Sequence, residues 1–151
     1  MKCLMALAAV MVLVLSFAAF AGEEKDFGAF KAYVPDGWTA TQDGSTVAFT
    51  KDDNTSSVSI TVEKTEGVSA KDLAAAFAEE FKKTFTGVTE PQVDEDGDYM
   101  FKMTNAQGVE SIVLLTATDT EYALLVITGA DAGGEGLGQI LGTMENSFKN
   151  K

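Results

Sequence analysis

The fold is decided by the stretch VESIVLLTATDTEYALLVIT, residues 109–128. It contains two apolar runs, Ile112 to Leu115 and Leu124 to Ile127, separated by the polar residues Asp119-Thr120-Glu121. Two apolar runs around a short polar turn predict a β-hairpin. Because each run is apolar on consecutive residues, both faces of both strands should be covered. We therefore expect this hairpin to be central in a sheet, with helices on either side.

Alternating segments extend the sheet away from this hairpin. Ser57 to Lys64 places Val58, Ile60 and Val62 on one side and polar residues on the other, which is typical of a half-buried strand. Asp43-Gly44, between two short apolar segments, is a strong two-residue hairpin signal. Phe27 to Val34 alternates loosely and is predicted as one further strand. These segments favour mainly antiparallel pairing.

Two segments have helical rather than alternating periodicity. Ser69 is a good N-cap, and Leu73, Phe77 and Phe81 recur behind it at four-residue spacing. A second apolar stripe near the C-terminus consists of Leu137, Ile140, Leu141, Met144 and Phe148. The sequence thus predicts an α+β domain in which a largely antiparallel sheet is flanked by helices on both faces, as a three-layer α/β/α sandwich.

Residues 1–21 have the organisation of a cleavable signal peptide. Lys2 precedes an apolar run from Cys3 to Phe20, and Ala19-Phe20-Ala21 provides a cleavage site before Gly22. The alternative is a retained membrane anchor, because the apolar run approaches the length that spans a bilayer. Cleavage predicts a periplasmic or secreted bacterial protein in which residues 22–151 form one domain, with no stable membrane insertion.

Composition excludes several classes of function. The 151 residues contain 23 Asp and Glu, 11 Lys, no Arg and no His, for a formal net charge of −12. Nucleic acid is an improbable partner, because neutralising phosphates needs a basic surface. Cys3 is the single cysteine and lies within the signal segment. Neither a His general base nor a Cys nucleophile is present beyond residue 21, and we expect no enzymatic activity.

The segment Tyr33-Val34-Pro35-Asp36-Gly37-Trp38 resembles a feature of the Mog1/PsbP-like superfamily, whose exported bacterial members include the DcrB-like proteins. There an extended segment ends in Pro-x-Gly-Trp and is followed by a hairpin and an alternating strand. The order of the predicted elements is also similar over nearly all of residues 22–151. The resemblance implies an antiparallel sheet flanked by helices and an accessory, binding or assembly role, without catalytic residues.

Two groups of residues are candidates for a binding site. Tyr33 and Trp38 flank the Pro-Gly turn and could line a binding mouth, although a lone tryptophan there more often closes the end of the core. Asp94, Asp96 and Asp98 form the densest cluster of the hard oxygen ligands that calcium prefers. The spacing does not match an EF-hand, and a solvated hairpin turn is the simpler interpretation.

These observations favour a non-catalytic exported accessory protein that binds an envelope protein. The first alternative is a protein that binds a small ligand or a divalent cation, with calcium as the possible cofactor. The second is a hydrolase that uses paired carboxylates. The Gly-rich residues 129–138 do not add a nucleotide site, because the lysine of a phosphate loop is missing and Asp131 and Glu135 would repel phosphate.

Overall fold

The computed structural model describes residues 22–129 and 134–151. The predicted signal peptide and part of the Gly-rich connection lie outside these residues. Within them, no helix is long and apolar enough to cross a membrane.

The described elements follow one another as strands, one helix, more strands and a second helix. The strands are β1 (Glu23–Asp26), β2 (Lys31–Val34), β3 (Trp38–Asp43), β4 (Thr46–Lys51), β5 (Ser56–Lys64), β6 (Gln92–Val93), β7 (Tyr99–Thr104), β8 (Glu110–Ala117) and β9 (Glu121–Gly129). The helices are α1 (Ala70–Phe81), between β5 and β6, and α2 (Glu135–Lys149), after β9. The content is therefore α+β, as predicted.

The main sheet has seven antiparallel strands in the order β3-β4-β5-β9-β8-β7-β6. The hairpin of residues 109–128 becomes β8 and β9, and β9 is the middle strand of the seven. Its register pairs Leu114 with Leu125, and Leu125 pairs in turn with Ile60 of β5. The prediction that this hairpin is central is confirmed.

The predicted single strand over residues 27–34 is wrong in its first half. Residues 23–26 and 31–34 are the strands β1 and β2 of a separate two-stranded hairpin, and residues 27–30 form its turn. Phe27 and Phe30 are nevertheless buried, and the Phe27 ring meets the Phe49 ring edge-on at 5.5 Å between centroids. These two apolar side chains anchor the turn to the core. Alternation of apolar and polar residues does not by itself distinguish such a turn from a strand.

Along β8 and β9, the residues that contact one helix alternate with the residues that contact the other. Leu137, Ile140, Met144 and Phe148 of α2 belong to a buried cluster with the β1–β2 hairpin and with sheet residues such as Ile60 and Leu125. Ala74 and Ala78 of α1 belong to clusters with Leu115, Val113, Phe101 and Tyr122. Ser69 caps α1 as predicted, because its hydroxyl accepts the Asp72 N–H at 3.2 Å.

Candidate functional site

A cavity of about 170 Å³, which we call the α2 cavity, lies between α2 and the sheet. Strands β8 and β9, helix α2 and the segment joining β6 to β7 contribute to its walls. Its lining residues are Asp94, Asp96, Asp98, Leu114, Leu115, Thr116, Leu125, Leu141, Met144 and Glu145. It is therefore lined by apolar residues on the sheet and on α2 and by four acidic residues.

The carboxylates on one side of the cavity come from the acidic loop, which is residues 94–98. Asp94 Oδ1 accepts the backbone N–H groups of Asp96 and Asp98, both at 2.9 Å. The Asp94 N–H donates to the Asp98 carbonyl at 2.9 Å, and Gly97 takes the positive φ of 84° that closes the turn. The loop is the hairpin turn that the sequence predicts, and it brings Asp94, Asp96 and Asp98 to the cavity.

Lys149 joins the acidic loop to α2. Its ammonium donates to Glu145 Oε1 at 2.8 Å and to Asp98 Oδ2 at 3.1 Å. The hydrogen bond to Glu145 raises the pKa of Lys149 above its usual range, and Asp98 raises it further against the effect of partial burial. Lys149 therefore stays protonated and shares one charge between two carboxylates of the α2 cavity.

Thr116 is the polar residue of the sheet that lines the α2 cavity. It is 5% exposed, and its hydroxyl oxygen has no hydrogen-bond partner among the residues that the structure describes. On β8 it follows Ile112 and Leu114 on the same face and is the last residue of that face within the strand. A buried hydroxyl without a partner is costly, because its desolvation is not compensated. The oxygen itself has almost no accessible surface, and the buried Ser56 hydroxyl also lacks a partner among the described residues, so the missing hydrogen bond does not by itself mark a ligand site.

Trp38 and Tyr33 line a second depression, of about 390 Å³, together with Asp36 and the first turn of α2. Trp38 is only 5% exposed, so its ring belongs to the core. The indole nitrogen of Trp38 lies so close to Gly136 that a Cβ there would be 2.5 Å away. The structure places both predicted residues at one surface, but Trp38 offers little area to a ligand. Their role in binding stays a prediction.

Gly136→Ala should loosen the contact between α2 and Trp38. The added methyl must displace the indole, which we expect to cost about 1–2 kcal/mol of unfolding free energy, since overpacking a core has this size. Trp38 is the only tryptophan. Its emission should therefore shift to longer wavelength, in parallel with a lower thermal midpoint. Gly142→Ala, where a Cβ meets no atom within 4 Å, is the control and should leave the emission unchanged.

Tyr122 lies on the opposite sheet face from Leu125 and is 8% exposed. Burial raises the pKa of its phenol, and the Glu63 carboxylate, which accepts its hydrogen bond at 3.3 Å, raises it further. The folded protein thus keeps the phenolic proton of Tyr122 at pH values above the usual tyrosine pKa of about 10. The unfolding free energy should fall as the pH rises from that value through the folded pKa, since the unfolded chain binds fewer protons there.

Tyr122→Phe tests this pH dependence. The variant should lose the last step of phenolate absorbance on alkaline titration and show a shallower decline of stability at alkaline pH. Tyr33→Phe, which leaves the pair with Glu63 intact, should keep both. An unchanged final step in Tyr122→Phe would show that another tyrosine is responsible.

The sequence singles out Asp94, Asp96 and Asp98 as candidate metal ligands, and the structure places these residues at the α2 cavity. The sequence places Met144 and Leu141 on the core face of a helix and does not single out Thr116 or Glu145. Glu145 directly follows Met144 of the apolar stripe of α2, and Thr116 comes at the end of β8 after Ile112 and Leu114. Neither position differs from what an amphipathic helix or a strand end normally shows, so the sequence carries no clear signal for either residue.

Metal ligation was the proposed role of Asp94, Asp96 and Asp98. Within residues 22–129 and 134–151, no group of three or more acidic, histidine or cysteine side chains is arranged to hold a metal ion. Two of the three carboxylates already serve the protein itself, because Asp94 accepts N–H groups of the acidic loop and Asp98 pairs with Lys149. The calcium site stays a prediction from the sequence.

Comparison with known proteins identifies the fold. The chain is similar to the solution structure of cyanobacterial PsbP (CyanoP) from Synechocystis sp. PCC 6803, with a TM-score of 0.51 and 12% identity over 86% of this chain and 93% of that one. A crystal structure from Bacteroides thetaiotaomicron VPI-5482 gives a TM-score of 0.48 and 16% identity over 82% of this chain. The alignment spans about half, 48%, of the Bacteroides chain.

The chain therefore has a Mog1/PsbP-like fold, as the resemblance at residues 33–38 implied. No protein-family profile and no curated protein sequence matches it. At 12% identity the similarity to PsbP describes the fold alone. The function must be argued from the α2 cavity and its surroundings.

Proposed function

We propose that this chain is a non-catalytic accessory protein of the bacterial envelope that binds a partner protein at the α2 cavity. The observation that carries the proposal is the α2 cavity itself, an apolar pocket beside the exposed side chain of Met100. The proposal includes export by residues 1–21, cleavage before Gly22 and one domain over 22–151. It also includes membership of the DcrB-like group. It further includes a three-layer arrangement, which is supported by the alternation between residues that contact α1 and residues that contact α2.

The size of the α2 cavity favours one inserted side chain over a whole ligand. Sites for drug-sized ligands enclose about 300–1,000 Å³, whereas this cavity encloses about 170 Å³. Cavities of roughly 150 Å³ accept a single small group such as one ring. A partner protein that inserts one residue into a pocket uses the anchor arrangement common at protein interfaces.

An apolar strip continues from the α2 cavity to the surface. Leu114 lines the cavity, its cross-strand neighbour Met100 is 40% exposed, and Ile112 is half-buried on the same face. The strip provides contact area beside the anchor pocket. It extends the cavity in the direction of β7, away from the strands that α2 covers.

The lack of reactive residues supports a non-catalytic role. The chain has no His and no Arg, and its one Cys is Cys3. A hydrolase that uses two carboxyl groups needs an open space between them for the scissile bond and water. Here the ammonium of Lys149 lies between Asp98 and Glu145 and bonds to both. We therefore give the hydrolase alternative no further part in the proposal.

Site-specific cross-linking in cells tests the proposal. A photoreactive amino acid in place of Met100, in the full-length chain, should give one discrete adduct with an envelope protein. The same residue in place of Thr41, exposed on the other face of the sheet, is the control. The adduct at position 100 should disappear when Leu141→Trp fills the α2 cavity. Equal adducts at both positions, or an adduct unaffected by Leu141→Trp, would contradict the proposal.

A further inference from the structure

The turn between β4 and β5 contains an acceptor sequence for a covalent modification. Asn54-Thr55-Ser56 matches Asn-x-Ser/Thr with a residue other than proline in the middle, which is the sequence that N-glycosylation requires. We propose that Asn54 is an acceptor site for N-glycosylation while the chain is being exported. This inference rests on the export that is part of the proposed function, but not on the α2 cavity.

The match is specific to Asn54 within the chain. Asn105 and Asn146 have neither serine nor threonine two residues later, where the acceptor sequence requires a hydroxyl. Asp52 lies two residues before Asn54. Bacterial oligosaccharyltransferases also recognise an acidic residue at that position. The turn therefore has the extended form of the sequence that a bacterial transferase would recognise.

Ser56 is the residue of this sequence that the fold does not explain. Asn54 has a positive φ of 59°, which asparagine adopts more readily than most residues, so the turn alone accounts for it. Ser56 begins β5 and is 2% exposed, and its hydroxyl has no hydrogen-bond partner among residues 22–129 and 134–151. Alanine would occupy this position without burying an unpaired hydroxyl. The acceptor sequence gives the hydroxyl a use before β5 forms.

The burial of Ser56 determines when the modification takes place. In the folded protein the hydroxyl is enclosed, so a transferase can recognise Ser56 only before β5 is in place. Ser56 pairs with Gly129 of β9, and this pairing cannot form until residues 57–129 have followed it. Contacts between such distant segments form late, because closing the long loop between them costs entropy. A chain that is crossing the membrane therefore presents residues 52–56 unpaired.

The folded protein can carry a glycan at Asn54 without losing the α2 cavity. Asn54 and its neighbours in the turn are exposed. The turn lies near the end of β9 that contains Gly129, whereas Thr116 at the α2 cavity pairs with Ala123. The distance along the strand from Ala123 to Gly129 is about 20 Å. The glycan would therefore be attached outside the walls of the α2 cavity, and the two proposals are compatible.

The reaction joins Asn54 to an oligosaccharide that a polyprenyl diphosphate carries. A bond forms between Asn54 Nδ2 and the anomeric carbon of the first sugar, and the bond from that carbon to the diphosphate oxygen breaks. The polyprenyl diphosphate leaves with the bonding electron pair, and Nδ2 releases one proton. The transfer needs no oxidant or reductant.

Export of the full-length chain in bacterial cells that contain an oligosaccharyltransferase and its lipid-linked oligosaccharide tests the inference. The intact mass of the purified protein should show the loss of residues 1–21 and the gain of one glycan. Peptide mapping should place that glycan on Asn54. Cells that lack the transferase should give the same cleaved protein without the glycan.

Variants connect the modification to the acceptor sequence. Asn54→Gln and Ser56→Ala should each abolish the glycan, and Asp52→Asn should lower the glycosylated fraction. Ser57→Ala is the matched control, because it removes a neighbouring hydroxyl outside the acceptor sequence, and it should be glycosylated like the wild type. Without glycan, Ser56→Ala should unfold at the wild-type temperature or above it, because the hydroxyl it removes has no partner in the described part of the chain. Misfolding would then not explain its lost glycan.

The folded protein tests the order of events. Unmodified protein that is incubated with transferase and oligosaccharide donor after folding should gain no glycan, whereas a capped peptide of residues 50–58 should gain one. Transfer to the folded protein as fast as to the peptide would overturn modification before folding.

The outcomes in cells separate this inference from the proposed function. A chain that loses residues 1–21 but gains no glycan would overturn the inference and leave partner binding at the α2 cavity unaffected. A glycan that persists in Ser56→Ala would also overturn it. A chain that keeps residues 1–21 and gains no glycan would contradict the export on which both proposals rest.

Discussion

Phe148→Ala should lower the unfolding free energy by about 3–5 kcal/mol, the range for removing a phenyl ring from a core. Phe148 is fully buried on the last turn of α2, in the cluster that joins this helix to the sheet and to the β1–β2 hairpin. Its loss should leave a cavity that the hydrogen-bonded sheet on one side cannot collapse to fill. Urea unfolding of the wild type and the variant measures the difference.

Phe85→Ala is the control for that experiment. Phe85 is half-buried and packs against the cluster below α1, so the same ring removal should cost distinctly less. A loss below about 1 kcal/mol for Phe148→Ala, the size of an average point mutation, would contradict the packing of α2 described above. It would mean that α2 does not unfold cooperatively with the sheet, and the α2 cavity would then lose one of its walls.

Gly129→Ala should lower the unfolding free energy by about 3 kcal/mol or more, beyond the usual cost of overpacking. Gly129 ends β9 with a φ of 111°, where L side chains are strained. An added Cβ would lie 2.0 Å from the Thr55 carbonyl oxygen and 2.9 Å from Ser56 Cα. Both contacts are with backbone, so β5 and β9 must separate at their paired ends.

Gly138→Ala is the same substitution at a position where we expect the opposite effect on stability. Gly138 lies inside α2, and a Cβ there meets no atom within 4 Å. This variant should gain up to about 1 kcal/mol, because alanine favours a helix over glycine by that amount. Thermal unfolding of the two variants side by side checks the pair. Equal effects of the two substitutions would contradict the close approach of β5 and β9.

Much of the fold could be predicted because its signals are local. The alternation of Ser57 to Lys64, the apolar runs of residues 109–128 and the Ser69 cap each depend on a few neighbouring residues. The strand order could not be predicted, since it depends on contacts between distant segments. The β1–β2 hairpin is local, but its turn contains buried apolar side chains that look like strand residues in the sequence. Phe27 and Phe30 lie in a turn because each finds a place in the core, which periodicity cannot show.

The candidate site could be predicted only in part for the same reason. Asp94, Asp96 and Asp98 are adjacent in sequence and were recognisable as one acidic turn. Their position at a cavity depends on Glu145 and Thr116, which come from α2 and β8 and meet them only in the folded chain. A threonine at the end of a strand indicates no site until its surroundings in the folded chain are known.

The central claim is that the wall of the α2 cavity is not optimised for the fold, since the Thr116 hydroxyl there has no partner among the described residues. The most direct test is the unfolding free energy of Thr116→Val beside that of Thr128→Val. Thr128 is the matched control, because its hydroxyl lies 2.7 Å from that of the buried Ser111 and has a partner. Both substitutions exchange a hydroxyl for a methyl group of similar size.

Without ligand, the unfolding free energy of Thr116→Val should equal that of the wild type or exceed it by about 1 kcal/mol. The reason is that the substitution removes a buried polar group that has no partner. Thr128→Val should lose a comparable amount, because it leaves the Ser111 hydroxyl unpaired. If Thr116→Val instead loses as much stability as Thr128→Val, the Thr116 hydroxyl serves the folded structure itself. The claim that this wall of the α2 cavity is not optimised for the fold would then be contradicted.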